Sequence, residues 1–164
     1  MASNQQRNSE NDPEATPLFH QIASFVLHTL MALLAWAALM AAGYLLNVPQ
    51  VPQMLILLLS LLVPLLVGFA FNHFKQDSMA GIVWLLGLVW FLIIALWVLD
   101  MPTGPNQCFQ CDATDKLTRT FFSFPLPSGM IDNDGPFVAT WPSAALLGYA
   151  IGERLALRKQ NPDA

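Results

Sequence analysis

Cys108 and Cys111 are the only two cysteines in the chain, spaced Cys-Phe-Gln-Cys. Two sulfurs so placed can cycle between dithiol and disulfide, because they are close and one thiol of such a pair is readily acidified. The pair has three uses: a structural disulfide, a redox couple, or half of a zinc site. In the chain-entropy model so short a closed loop stabilises a fold by only about 2 kcal/mol. Zinc usually takes four ligands, so a dimer would have to supply two further cysteines. Asp112 and Asp115 disfavour a nearby thiolate and Lys116 favours it, so no strongly activated nucleophile is expected. The balance leans to a structural bridge, with a redox pair as its rival.

The second set of candidate ligands is His20, His28 and His73. Facing imidazoles on two helices can hold haem iron. His20 and His73 fall near one membrane boundary. His28 lies about two turns deeper, with no histidine at its own depth. An ionisable residue inside a membrane is a functional hypothesis by default, yet histidine can stay neutral and bond a backbone carbonyl or a threonine. The expectation is a hydrogen-bonded packing role and no cofactor, with haem as the weaker alternative.

The elements that must position these residues are long apolar runs. Apolar residues make up 55% of the 164 and charged residues 11%, about half the charge of a soluble domain. The runs cover 22–46, 54–71, 81–99 and 137–157, and they predict four membrane-spanning helices in a domain covering 18–157. Pro64 and Gly68 inside the second are tolerated in membrane helices. Glu153 and Arg154 interrupt the fourth, for which an interfacial helix is the alternative. A cleaved signal peptide is a weaker reading of the first run, which is too long and follows an acidic stretch. Residues 1–17 are polar and read as a disordered tail, and 158–164 read as a C-terminal tail. Residues 101–136, rich in proline and glycine, read as a long loop between helices three and four.

Orientation follows from the basic residues. Arg7, Lys75, Arg154, Arg158 and Lys159 share one side, against Lys116 and Arg119 on the other. Five against two predicts that both termini are cytoplasmic and that the 101–136 loop faces outward. A disulfide would persist there. A bacterial inner membrane is the expected location.

Ala144, Gly148 and Gly152 recur every four residues on the fourth run. Small residues at that spacing let two helix backbones approach closely, which is how membrane helices associate without a hydrophobic drive. Two further fragments carry little. Asp132-Asn133-Asp134-Gly135 lacks the spacing and closing glutamate of a calcium loop. Pro127-Ser128-Gly129 lacks the histidine and arginine elements of a lipid phosphatase. No metal signature, phosphate loop or nucleophile elbow is present, and no Lys/Arg cluster points to nucleic acid.

Four helices with a Cys-x-x-Cys pair are similar in architecture to membrane disulfide-forming enzymes of the DsbB and vitamin K epoxide reductase kind. Those enzymes relay electrons through a second cysteine pair, which this chain does not have, and its single pair lies between helices three and four. The likeness therefore implies no membership. The expected fold is an all-α integral membrane protein, a four-transmembrane-helix bundle with a long extracytoplasmic loop. The expected function is that of a small non-catalytic structural or interaction subunit, partnered by the lipid bilayer and by other membrane subunits or its own copies. Membrane thiol–disulfide exchange is the first alternative and haem binding the second.

Overall fold

The computed structural model describes residues 15–46, 52–74, 78–102, 110–122 and 135–160. The 1–14 part of the polar tail, Cys108, the Pro127–Gly129 fragment and Asp132–Asp134 lie outside them. The described residues form five helices: α1 (Ala15–Leu45), α2 (Gln53–Phe74), α3 (Trp84–Asp100), α4 (Ala113–Phe122) and α5 (Gly135–Gln160), with a short 3-10 turn at Ser78–Ile82. Among the described residues there is no strand.

Among the described residues, three segments are long and apolar enough to cross a membrane: Leu18–Leu45, Met54–His73 and Met79–Asp100. A segment in lipid must satisfy every backbone polar group internally, and a helix does so within itself. Their outward faces carry exposed leucines, among them Leu30, Leu34, Leu58, Leu62, Leu66, Leu92 and Leu96. That pattern suits hydrocarbon and would be costly in water. α2 runs unbroken through Pro64.

α5 is the helix that the other four share, although Leu147, Ile151 and Leu155 stay exposed along one face. It packs against α1, α2, α3 and α4, and Ala139, Ala145, Leu146, Tyr149, Ala150 and Ala156 are buried along it. Glycines set its approach to α2. A Cβ at Gly148 would collide with the Leu61 carbonyl, one at Gly152 with that of Leu65, and one at Gly68 with that of Tyr149. On the α3 side, Ser143 Oγ donates to the Gly87 carbonyl (3.0 Å), and Trp90 Nε1 donates to the Val138 carbonyl (2.8 Å).

These contacts also give the helix directions. Along α5, residues 148 and 152 meet 61 and 65 in ascending order, so α2 and α5 are parallel. Tyr149 meets His28 while Phe137 meets Trp36, so α1 is antiparallel to α5. Arg154 donates to the Gly81 carbonyl while Val138 meets Trp90, so α3 is antiparallel as well. α1 and α3 run one way, and α2 and α5 run the other.

The stretch read as a continuous loop between helices three and four contains α4. Asp112 caps it, its Oδ1 accepting from the Asp115 backbone N–H at 2.8 Å, which satisfies an orphan donor of the first turn. Leu117 and Phe121, four residues apart, share the buried face. Phe121 is 1% exposed and joins Ile94, Val98 and Ala139 in one apolar cluster, with its ring 4.1 Å from that of Phe91. Lys116 Nζ donates to the Leu99 and Met101 carbonyls, groups that the end of α3 would otherwise leave without partners. α4 thus ties the end of α3 to the start of α5. The proline and glycine content around it masked its period in the sequence. The helix boundaries differ elsewhere too: α1 opens at Ala15, α2 continues to Phe74, and α3 begins at Trp84.

Candidate functional site in the bundle interior

Ser24, His28 and Ala32 recur every four residues on α1, and all three are buried. This stripe faces Tyr149 and Glu153 on α5, themselves one turn apart. His28 Nδ1 and the Tyr149 hydroxyl are 2.9 Å apart, hydrogen-bonded in the direction that the tautomer sets. Glu153 Oε1 stands 3.3 Å from the same nitrogen, within ion-pair distance. From α2, Asn72 Nδ2 donates to the Glu153 backbone carbonyl at 3.0 Å. Phe71 covers the imidazole edge-on, ring centroids 5.4 Å apart. His28, Asn72, Tyr149 and Glu153 are each 0% exposed. Three helices therefore converge on one polar cluster closed off from solvent and lipid.

The physical chemistry of such a cluster is restrictive. A net charge in so apolar a place is expensive, and polar groups there must be bonded. An imidazole lone pair and an ionised carboxylate oxygen held 3.3 Å apart would repel. At least one proton therefore lies on Nδ1 or on the carboxyl. The cluster can fasten helices and hold a proton.

The residues singled out from sequence are dispersed. His20 and His73 are exposed on α1 and α2, while His28 is buried against Tyr149 and Glu153. Among the described residues, no three His, Cys, Asp or Glu side chains gather as a metal site. Cys111 is not a free thiol. It is half-buried against the cluster of Ile94, Val98, Phe121 and Ala139, and the preceding Gln110 has a left-handed backbone (φ 59°). Gly148 and Gly152 face α2, whereas Ala144 lines a cleft beside Trp84 and Gly87 of α3. Sequence reasoning found His28 but not Tyr149, Glu153 or Asn72. The available signal was the pairing of two i, i+4 stripes, Ser24–His28–Ala32 and Ala145–Tyr149–Glu153.

An apolar cleft of about 400 Å³ opens between α1, α3 and α5, lined by Leu33, Trp36, Trp90, Ile93, Phe137 and Leu146 among others. It suits hydrocarbon and offers no reacting group.

Comparison with protein-family models, with curated proteins and with solved structures found no match to this chain.

Proposed function

We propose that the chain is a small non-catalytic integral membrane protein that acts as a structural or interaction subunit. In this reading α5 is a fourth crossing, and both termini are cytoplasmic. The observation that carries it is the use made of the buried polar side chains: His28, Asn72, Tyr149 and Glu153 bind helix to helix, while the wide cleft is apolar. A catalytic site would set convergent polar groups around a pocket. The low apolar content of α5 agrees with its position. Most of its surface meets other helices, where small and polar residues serve contact, and Leu147, Ile151 and Leu155 leave one exposed apolar stripe. From Phe137 beside Trp36 to Glu153 beside Asn72 it keeps pace with its neighbours for about 24 Å.

Purification from native membranes in a mild detergent tests this reading. A second membrane subunit, or a second copy of the 18.1 kDa chain, is expected at fixed stoichiometry through successive columns. A lone monomer that turns over dithiol or disulfide substrates would replace it with the thiol–disulfide reading.

The cysteine pair fits the same role. Cys111 sits where α4 joins the α3 cluster, so a bond to Cys108 would pin the loop to the bundle. Protein alkylated before reduction should carry no label at either cysteine, and two labels after it. Labelling of both without reductant would remove the bridge and weaken the outward placement of the loop.

A further inference from the structure

We infer that the cleft between α1, α3 and α5 is a binding site for one acyl chain of a membrane phospholipid. The site stands apart from the role as a subunit, since a chain without protein partners would hold the lipid equally. α1 and α3 both rest on α5, and α1 also meets the turn Ser78–Ile82 that leads into α3. At that end Ala32 packs with Ala80, Val83 and Leu146 in one buried cluster. Leu33 and Leu146 belong both to this packing and to the cleft lining, so the cluster forms the floor of the cleft. Away from the floor α1 and α3 part, and the cleft of about 400 Å³ runs on past Trp36 of α1 and Trp90 and Ile93 of α3.

The walls suit hydrocarbon and nothing more polar. Pro142 lies within α5 and has no N–H to give the Val138 carbonyl one helical turn earlier. A bare carbonyl in the wall would call for water or a polar ligand. Trp90 Nε1 takes that place, donating to the carbonyl at 2.8 Å. The Trp36 indole nitrogen is buried rather than turned to the cleft. Water needs about two to four polar partners to stay in such a space, and an empty gap forfeits dispersion contacts along its lining. Leu86, Val89 and Ile93 are exposed along the rim, so the cleft opens sideways onto the hydrocarbon around the spans.

The blind end separates the two apolar occupants that a membrane offers. A partner's transmembrane helix must continue through about 30 Å of hydrocarbon, and the packing of Ala32 on Ala80 and Val83 blocks that path. An acyl chain ends within the bilayer and fits a cleft closed at one end. Ile93 lies seven residues before Asp100, the last residue of α3. The cleft therefore begins about 10 Å inside that helix end, at the depth of chains rather than of headgroups.

Lipid retention by the full-length protein tests the site. Val89→Phe with Ile93→Trp fills the cleft from its α3 wall. Leu92→Phe with Leu96→Trp, on the exposed surface of the same helix and outside the cleft lining, is the control. Native mass spectrometry of protein taken from native membranes in a mild detergent should show one phospholipid on the wild type and on the control. The adduct on the filled variant should fall about tenfold or more, because two added rings leave the chain no room. Delipidated wild type should melt at a lower temperature. Palmitoyl-oleoyl phosphatidylcholine should restore it, and diheptanoyl phosphatidylcholine, with the same headgroup and chains too short to reach the floor, should not. That comparison needs no variant and stands even where the filled one does not fold. A wild type without a phospholipid adduct, equal adducts on the filled and control variants, or equal rescue by the short-chain lipid would overturn the inference. So would a copurifying polypeptide that the filled variant alone releases, which would make the cleft a seat for a helix.

Discussion

Gly152→Leu separates α5 from α2 and lowers the stability of the bundle by about 3 kcal/mol or more, at or beyond the upper end of what overpacking usually costs. The cause is backbone contact. A Cβ at this position would run into the Leu65 carbonyl and stand 3.0 Å from the Phe69 backbone nitrogen. Neither group can rotate away as a side chain could. Helix association in lipid depends on van der Waals packing, and holding two backbones apart forfeits it along the whole seam. Gly148, opposed by the Leu61 carbonyl, belongs to the same seam and should behave alike. Gly43 is the control: nothing lies within 4 Å of its Cβ position, so Gly43→Leu should melt with the wild type. Thermal unfolding in one detergent compares the three. Equal midpoints for Gly152→Leu and wild type would mean that α2 and α5 are not seated on each other as described.

His28→Ala is expected to be the most damaging change on α1, at about 3–5 kcal/mol, the range for removing one member of a buried pair. The Glu153 carboxyl and the Tyr149 hydroxyl would keep their burial and lose the group between them. The vacated imidazole volume adds a cavity term. Glu153→Gln should cost less, because the amide keeps the shape and removes the charge. Leu34→Ala, at a position 61% exposed on α1, should change little. Denaturant titration of the protein in mixed micelles orders the variants. A loss at His28→Ala no greater than at Leu34→Ala would show that the cluster does not fasten α1.

How much of this was legible beforehand depends on the scale of the signal. The three apolar spans are properties of single segments, and uninterrupted runs such as 81–99 announce them. The small-residue spacing at Gly148 and Gly152 is likewise local, although it does not say which neighbour the glycines meet. α4 was obscured because Leu117 and Phe121 form only one repeat of the helical period inside a stretch dominated by proline and glycine. The interior cluster was least legible. Glu153 reads in sequence as the residue that ends an apolar run, and its burial depends on how far α5 slides along α1 and α2. That register is set by Gly148, Gly152 and Gly68 against carbonyls on the facing helix, a condition that no single segment contains. His28 drew notice as an ionisable residue in an apolar run; its partners lie 121 and 125 positions away.

The central claim is that α5, although less apolar than the other long helices, crosses the membrane beside them and brings Glu153 to His28. Reporter fusions placed after Leu99 and after Lys159 test it most directly. Leu99 stands near the end of α3, and Lys159 near the end of α5. If α5 crosses, the two reporters lie on opposite sides and give opposite signals, with Lys159 on the cytoplasmic side as the basic residues direct. The same signal at both positions would show that α5 returns without crossing, and would contradict the account.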